Sequence, residues 1–576
     1  MINNLRNFTL ILLIIFLLNP NISAQPLFSD ISNEAGFNAT GINRGIAIGD
    51  FDNDGDDDVY ISRINESNML YQNNGDGSYS DIAEFAGVDV AGNTHASVWG
   101  DFDNDGYLDL YVGNRESANN LYQNNGDGTF TDIAVSAGVD ILGKPRSVLV
   151  ADVDRDGWLD IYVANILGEN ALFRNNGDLT FTDITQSSGT SDPQLSMGAM
   201  FFDYDNDGDP DLYLTHDGNQ AYKLLQNDGA GKFTDVSAAS GTNYEGLGMG
   251  VDFGDINNDG WLDIYITNLS YNTLYLNNGD GTFSNISENA MITDPGMGWG
   301  TTFLDYNNDG LQDIYMVNDS YFSPLPNILY RNKGDLTFEI VSDNSSIANM
   351  YGSYGTACTD FNHDGRIDIF LTNSGSDGNQ LFRNEMSDVG NWFKVKLVGT
   401  VSNRSAIGAR VTLSTGDKIF VDEVCGGSGY ASQNSLTLHF GLGDLELIEE
   451  MTIRWPNGLV ETYPNLPVNQ TMTATENESI TVNVAEVSIP DFNVSLYPNP
   501  VGVNSPLQIV ISAEQNQKIE IFATDLLGRK IDDIYRGMIM TGVQTVEWSD
   551  MNQRSGWYLI TVQSTESNIS KKVFIK

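Results

Sequence analysis

"DFDNDGDDD", residues 50–58, places six carboxylates and one glycine in nine residues. Like charges at that density repel each other, so the stretch is either a solvated acidic loop or a cage for a cation. The rest of the chain bears on the choice, because the stretch recurs. DFDNDGYLD follows at 101–109, DVDRDGWLD at 152–160, DYDNDGDPD at 203–211, DINNDGWLD at 255–263, DYNNDGLQD at 305–313 and DFNHDGRID at 360–368. The starts lie 51, 51, 51, 52, 50 and 55 residues apart, and a period that regular marks a repeat architecture.

Within each copy, oxygen-bearing side chains hold positions 1, 3, 5 and 9. They are Asp50, Asp52, Asp54 and Asp58 in the first copy, then Asp101, Asp103, Asp105 and Asp109. The third copy has Asp152, Asp154, Asp156 and Asp160, and the fourth Asp203, Asp205, Asp207 and Asp211. In the last three copies position 3 is asparagine: Asp255, Asn257, Asp259 and Asp263; Asp305, Asn307, Asp309 and Asp313; Asp360, Asn362, Asp364 and Asp368. Asparagine keeps the oxygen and drops a charge. Glycine always fills position 6, where a sharp turn folds the ligands inward. Ca²⁺ takes about six to eight oxygens, which four side chains, the position-7 carbonyl and water can supply. Ordinary polar turns use the same residue types but do not explain seven identical frames. An EF-hand needs glutamate at position 12 and flanking helices. Here position 12 is apolar in every copy (Ile61, Val112, Val163, Leu214, Ile266, Met316, Leu371), inside runs such as LYV and IYI that favour strands. The reading is about seven structural Ca²⁺, each held in a loop that feeds a strand.

Each repeat has a second half, such as NLYQNNGDGTFTDIAVSAGV at 120–139, in which NNGDG turns a hairpin. One repeat therefore holds four short strands, the unit of a β-propeller. The seventh copy stops at NQLFRNEM (379–386), while PLFSDISNEAGF (26–37) matches TFTDIAVSAGV (129–139). The N-terminal strand is thus expected to complete the last of seven blades and leave no open sheet edge. These repeats resemble the FG-GAP/VCBS repeats of integrin α-chain propellers across residues 26–386, a resemblance that speaks to fold and calcium far more than to activity.

A second resemblance lies at about 390–475. NWFKVKLVGTVSNRSAIGARVTL, GGSGYASQNSLTLHFGLG and IRWPNG are similar to an ASPIC/UnbV domain, and the combination is similar to the cartilage-acidic-protein-like family. Its residues read as alternating strands broken by glycine-rich turns, a small β-domain. A linker (476–492) leads to VSLYPNP, DLLGRK, SGWYLITV and KKVFIK, which resemble the C-terminal sorting domain of the type IX secretion system (493–576). That resemblance implies an Ig-like β-sandwich, passage of the outer membrane and engagement of the secretion machinery. The bland reading of the same residues is an adhesive sandwich. The whole chain is expected to be all-β.

The ends and the composition agree with export. FTLILLIIFLL (8–18) followed by NPNISA reads as a signal peptide over residues 1–24, too short for a dependable membrane span, and no later stretch approaches the length of one. The net charge of −50 excludes a nucleic-acid binder, which needs a basic surface. The two cysteines, Cys358 and Cys425, read as isolated thiols, with a disulfide as the alternative.

No HExxH, GxSxG or P-loop is present, so the chain is read as a binding or adhesion protein and not an enzyme. The alternative is a polysaccharide-active, lyase-like enzyme with His95 or Lys144 as base. The loops opposite the calcium rim are unevenly charged: Arg44, Arg63, Arg115, Lys144 and Arg146 fall on blades 1–3, while blades 4–7 carry Asp192, Asp217, Glu245, Asp294, Asp319 and Asp377. Arginine forks suit carboxylates and sulfates, so this crescent is the candidate ligand site, for an extracellular anionic glycan or an acidic protein. The competing reading is local pairing with nearby acids. Trp299, Tyr321, Phe322, Tyr351 and Tyr354 gather on blades 6 and 7, where packing is expected and sugar stacking is the alternative.

Overall fold

The computed structural model describes residues 27–575 apart from 343–344, 388, 479–491 and short stretches of the C-terminal domain (498, 500, 502–505, 514, 526–528, 550–555 and 565–567). The expected signal peptide and most of the expected linker lie outside the described residues. Among the described residues strands dominate, and every helix is a single turn.

From residue 28 to 384 the strands fall into seven antiparallel groups of four; four groups are separate sheets, and the seventh, first and second are joined into one larger sheet where Gly41 pairs with Gly375 and Ile64 with Asn93. The second shows the pattern: Ala91–Gly100, Asp109–Asn114, Asn120–Asn124 and Phe130–Asp132, with the acidic loop between the first two strands. Second strands such as Asp109–Asn114 are buried at every position, because a neighbouring blade covers each face. That is why they read as continuous apolar runs. The tyrosine at the centre of the run has a polar tip to satisfy: the Tyr111 hydroxyl donates to Val139 O (3.1 Å) and accepts from Asn119 Nδ2 (2.9 Å).

The seventh unit consists of Gly352–Thr359, Asp368–Gly375, Gln380–Asn384 and the N-terminal strand Phe28–Asp30. Phe28 lies opposite Asn384 and Asp30 opposite Phe382, so the N-terminus supplies the outer strand as expected. The innermost strands pack on one another in sequence order, and Gly352–Thr359 returns to Gly41–Gly49.

Two belts of hydrogen bonds tie each blade to the next. At the end of each third strand an asparagine amide donates to a carbonyl at position 2 of the preceding acidic loop. Examples are Asn124 to Phe51 O (2.9 Å), Asn227 to Val153 O (2.9 Å) and, across the seam, Asn73 to Phe361 O (3.2 Å). The second belt runs the other way. Position 4 of each loop adopts a left-handed φ of 55–63°, and its side chain reaches the following loop: Asn53 to Gly106 O (2.7 Å), Asn258 to Gly310 O (2.8 Å). Asparagine tolerates that φ. At the seam the residue is His363, whose Nε2 meets Asp56 Oδ1 at 2.8 Å, while Asp57 accepts from Thr359. The two additional carboxylates of the opening stretch therefore stitch blade 1 to blade 7.

The middle region is not set apart from the propeller. Asn391–Val398 pairs with Leu438–Gly443 and Gln470–Thr475 in one sheet, and Arg410–Thr415 pairs with Lys418–Glu423 and Leu447–Arg454 in another. Both rest on the acidic loops: Gly443 N donates to Asn308 O (2.7 Å) and Arg410 Nη2 to Asp203 O (2.6 Å). Between the sheets the chain drops into the central channel. Val150 N donates to Gly426 O (2.9 Å), Ile46 N to Ala431 O (3.0 Å), and Val251 and Gly429 exchange bonds of 3.0 and 2.7 Å. Gln433 brackets Trp99, accepting from its N–H (2.7 Å) and donating to its carbonyl (3.0 Å). Inner strands of a ring would otherwise turn unpaired backbone groups into the channel, and this plug satisfies them. The GGSG sequence follows from the fit, since a Cβ on Gly426 would stand 1.9 Å from Val150 O.

The C-terminal domain is a sandwich of a three-stranded sheet (Phe492–Tyr497, Leu507–Ala513, Gly542–Trp548) and a four-stranded one around its own core, which includes Ile509, Ile521 and Ile560.

Phe28 is 1% exposed and packs near Tyr306, with ring centroids 6.3 Å apart. Phe28→Ala is expected to lower unfolding stability by about 3–5 kcal/mol by denaturant titration. Val135→Ala, on an exposed turn, is expected to change it by under about 0.5 kcal/mol. Equal midpoints for the two variants would mean that the N-terminal strand does not close the ring.

Candidate functional site

In the acidic loops the backbone shapes the carboxylates. Position 1 accepts the N–H groups of positions 5 and 6, as Asp101 does from Asp105 (3.1 Å) and Gly106 (2.8 Å). Position 9 accepts from position 2 and from the third strand: Asp109 from Phe102 N (3.0 Å) and Asn124 N (2.7 Å). Position 3 is steadied by a third-strand glutamine in three copies, for example Gln123 Nε2 to Asp103 Oδ2 at 2.7 Å. In copies one to four, positions 1, 3 and 9 bring one oxygen each within 4.8 Å of one another: Asp50, Asp52 and Asp58; Asp101, Asp103 and Asp109; Asp152, Asp154 and Asp160; Asp203, Asp205 and Asp211. Position 5 stands outside these triads, and one of its oxygens caps the N–H of position 7, as Asp105 does for Tyr107 (2.8 Å). Copies five to seven keep the same frame with an amide at position 3, where Asn257 Oδ1 accepts from Asp259 N (3.2 Å).

The electrostatics of these loops call for a cation. Burial, reinforced by neighbouring aspartates, pushes Asp101 and Asp152 up to about 7 and Asp305 up to about 8. Burial also raises every position-9 aspartate well above the carboxylate range. Oxygens of Asp52, Asp154, Asp205, Asp313 and Asp368 are buried without a hydrogen-bond partner. Buried, unpaired carboxylate oxygens that converge on one point fit a hard divalent ion. The chain's own cations neutralise some loops from outside: Lys396 Nζ lies 3.0 Å from Asp50, Lys394 pairs with Asp360 and Arg454 with Asp203. Lys572, on the last strand of the C-terminal domain, contacts Asp52 and Asp54 of the first loop, the latter at 2.7 Å.

The opposite face lies at the other end of the same strands. Arg44 stacks over Tyr354, its guanidinium carbon 3.7 Å from the ring centroid. Arg146 Nη1 lies 2.6 Å from His95 Nδ1. His95 is 2% exposed, and burial followed by the charges of Arg146, Arg44 and Arg115 lowers its pKa well below 6.5. These arginines therefore share one electrostatic neighbourhood. Lys144 immediately precedes the strand Pro145–Ala151 that carries Arg146, its backbone N–H held by Asn165 Oδ1 (2.8 Å). Arg115 Nε lies 4.0 Å from Glu116, a loose local pair, and Arg63 is paired more tightly. It is 9% exposed and committed to Glu66, Asn43 Oδ1 (2.9 Å) and two backbone carbonyls, the local pairing that stood as the competing reading.

The acids of the other half are also employed: Asp192 holds His216 (3.0 Å) and Lys223 (3.2 Å), Asp294 holds Asn318 (3.0 Å) and Asp319 accepts from Tyr354 (2.6 Å). Trp299 and Tyr354 pack together at 5.0 Å between centroids, whereas Tyr321 and Phe322 are exposed. Cys358 and Cys425 are free thiols. The sequence reading missed the plug, whose one legible signal was a glycine cluster between strands.

Three segments match known families. FG-GAP-like repeats match residues 50–112, 101–163, 152–214, 203–266, 255–316 and 305–371. ASPIC and UnbV matches 399–481, and the secretion system C-terminal sorting domain matches 495–576. Cartilage acidic protein 1 of Mus musculus is 27% identical over 486 residues, which cover 76% of this chain and 74% of that protein. Its Homo sapiens counterpart is 26% identical over 498 residues, 76% of this chain and 73% of that protein. Among solved structures, an Agrocybe aegerita lectin that recognises non-reducing terminal N-acetylglucosamine is 19% identical, with a TM-score of 0.36, over 60% of this chain and 88% of that chain. The sorting domain indicates export to the cell surface or secretion and a connection to the type IX secretion machinery. Among the described residues no helix is long and apolar enough to cross a membrane.

Excess EDTA is expected to lower the melting temperature, read by scanning calorimetry, and divalent metal to restore it. In the chelated protein the raised carboxylates hold more protons folded than unfolded between about pH 4 and 7. Chelated stability therefore falls as pH rises through about 7, and the gain from metal is larger at pH 8 than at pH 6. A melt indifferent to EDTA at both pH values would mean that the loops hold no ion.

Proposed function

The chain belongs to the FG-GAP-like repeat family, and from that premise we propose that it is an extracellular binding protein, stabilised by calcium, which takes an anionic ligand on the face away from the acidic loops. Seven loops with one frame support about seven structural Ca²⁺. Calcium bound there fixes the junction of two strands and the seam to the next blade, and so holds the opposite face rigid. The observation that carries the ligand reading is the convergence of Arg44, Arg115 and Arg146 around His95 on a chain of net charge −50. Such a cluster draws anions against the background field, and arginine forks bind carboxylate or sulfate in pairs of hydrogen bonds. The ligand class is an acidic or sulfated glycan, with an acidic protein as the second candidate.

Binding is favoured over catalysis. His95 is buried under Arg146 and already hydrogen-bonded to it, which suits a scaffold better than a base that must reach substrate. Native electrophoresis of the full chain through gels that contain acidic, sulfated or neutral polysaccharides, with millimolar calcium, tests the reading. Retardation by acidic polymers alone, reduced in the Arg115→Ala/Arg146→Ala double variant, is the expected result. Equal retardation in neutral gels would overturn it, and clearing of the embedded polymer would establish an enzyme.

A further inference from the structure

One residue from each blade occupies the same place on the channel wall, six positions before its acidic loop. On blades 1–3 these are Arg44, His95 and Arg146; on blades 4–7 they are Met197, Met249, Trp299 and Tyr354. Each precedes a small residue of the innermost strand, and the backbones draw close there. A Cβ on Gly250 would stand 2.4 Å from Trp299 O, and one on Gly355 would stand 2.6 Å from Arg44 O. The repeat thus places seven equivalent side chains around one axis, and the sequence fills them unequally. One half of the ring is cationic and imidazole, the other thioether and aromatic.

The plug supplies the floor. Tyr430, carried through the channel from the acidic-loop side, packs edge-on to Trp299 with centroids 4.8 Å apart. It belongs to the same cluster of packed side chains as Met197, Met249 and Tyr354, and it is 1% exposed. Trp299, Arg44 and Arg146 lie above it, half-buried. Arg146 Nε and Trp299 Nε1, on opposite halves, have no hydrogen-bond partner, as is also true of Arg115 Nε nearby and of Arg155 and Arg331 Nε on the acidic-loop side. A buried donor left unpaired is costly, so the two that face the ring are positions an acceptor would satisfy.

The geometry points to this ring as an end-on site for the terminal uronate of an acidic glycan: the carboxylate is held between Arg44 and Arg146, the sugar face lies on Trp299, and the ASPIC/UnbV-type region positions the floor through Tyr430. This rests on the anionic-ligand reading and narrows it from a face to the axis, and from any anion to a carboxylated sugar at a chain end. A split ring suits a ligand with one charged edge and one apolar face, as a pyranose acid has. An extended peptide would look for a free strand edge, and the inner-strand N–H groups of Ile46, Val150 and Val251 are already taken by the plug.

Calorimetric titration of the calcium-loaded full chain with trigalacturonate, its methyl ester and an acidic peptide with a free carboxyl terminus tests the proposal. Binding of the acid but not of the ester or the peptide is expected. Trp299→Leu and Arg146→Gln are each expected to weaken it at least tenfold, more than Arg115→Ala or Lys144→Ala does, while Lys333→Ala, on an exposed hairpin away from the ring, changes it less than threefold. Melting temperatures of the variants check that each is folded. Loss in the Arg115 and Lys144 variants with native binding by Trp299→Leu and Arg146→Gln would overturn the axial site and leave the crescent standing. Binding of the peptide but not the uronate would overturn the sugar assignment. Absence of binding to any uronate or sulfated polymer would remove the broader reading with it.

Discussion

Every repeat hangs on one buried aspartate. At position 9 of the loop, Asp109 and its equivalents face inward with almost no access to water, and each receives an N–H from the third strand. That bond fixes the loop to the hairpin of its own blade, and the same third-strand asparagine reaches back to the loop of the preceding blade. A charge so placed is unfavourable unless something positive sits beside it. Loop, blade and ring are therefore coupled through one carboxylate; the converging oxygens at positions 1 and 3 add to the repulsion on their own, and keep it charged only where they gather a cation. The propeller is less a stack of sheets than a ring of electrostatic problems solved alike.

How much of this was legible follows from range. The loops, the hairpins and the strand identity of VYI, LYV and IYM are local, and their period exposes them. Closure by the N-terminus was also legible, because PLFSDIS repeats a pattern whose other copies sit inside the chain. The plug was not. CGGSGYASQN has no period and no strand pattern, and its role comes from backbone groups contributed by strands hundreds of residues away. The crescent was half legible. A sequence gives the charge of Arg63 but not the fact that Asn43, Glu66 and two carbonyls enclose it. The register of Arg44, His95 and Arg146 was in the spacing from the start, yet it carries no meaning until the strands that bear them are known to face one axis.

The two faces of the ring divide their labour through the middle region. On the loop side its lysines and arginines meet carboxylates, at Asp50, Asp203 and Asp360. On the far side it contributes the buried Tyr430. The segment from Gly426 to Asn434 carries no ionisable group other than that phenol, so it joins the two faces by backbone hydrogen bonds and packing and not by charge.

The parallel pairing of Asn391–Val398 with Gln470–Thr475 has a mechanical meaning. The first strand leaves the propeller at its amino end, and the second leads to the C-terminal domain from its carboxyl end. When that domain is held and the propeller is pulled by whatever it grips, the tension enters the two strands from opposite ends. Their hydrogen bonds, from Phe393 opposite Gln470 to Val398 opposite Thr475, are then loaded in shear and share the force together, where an unzipping geometry would break them one at a time. Lifetime under load is set by the rate of forced opening, and this arrangement places a shear-loaded pair of strands on the covalent path between the propeller and the C-terminal domain.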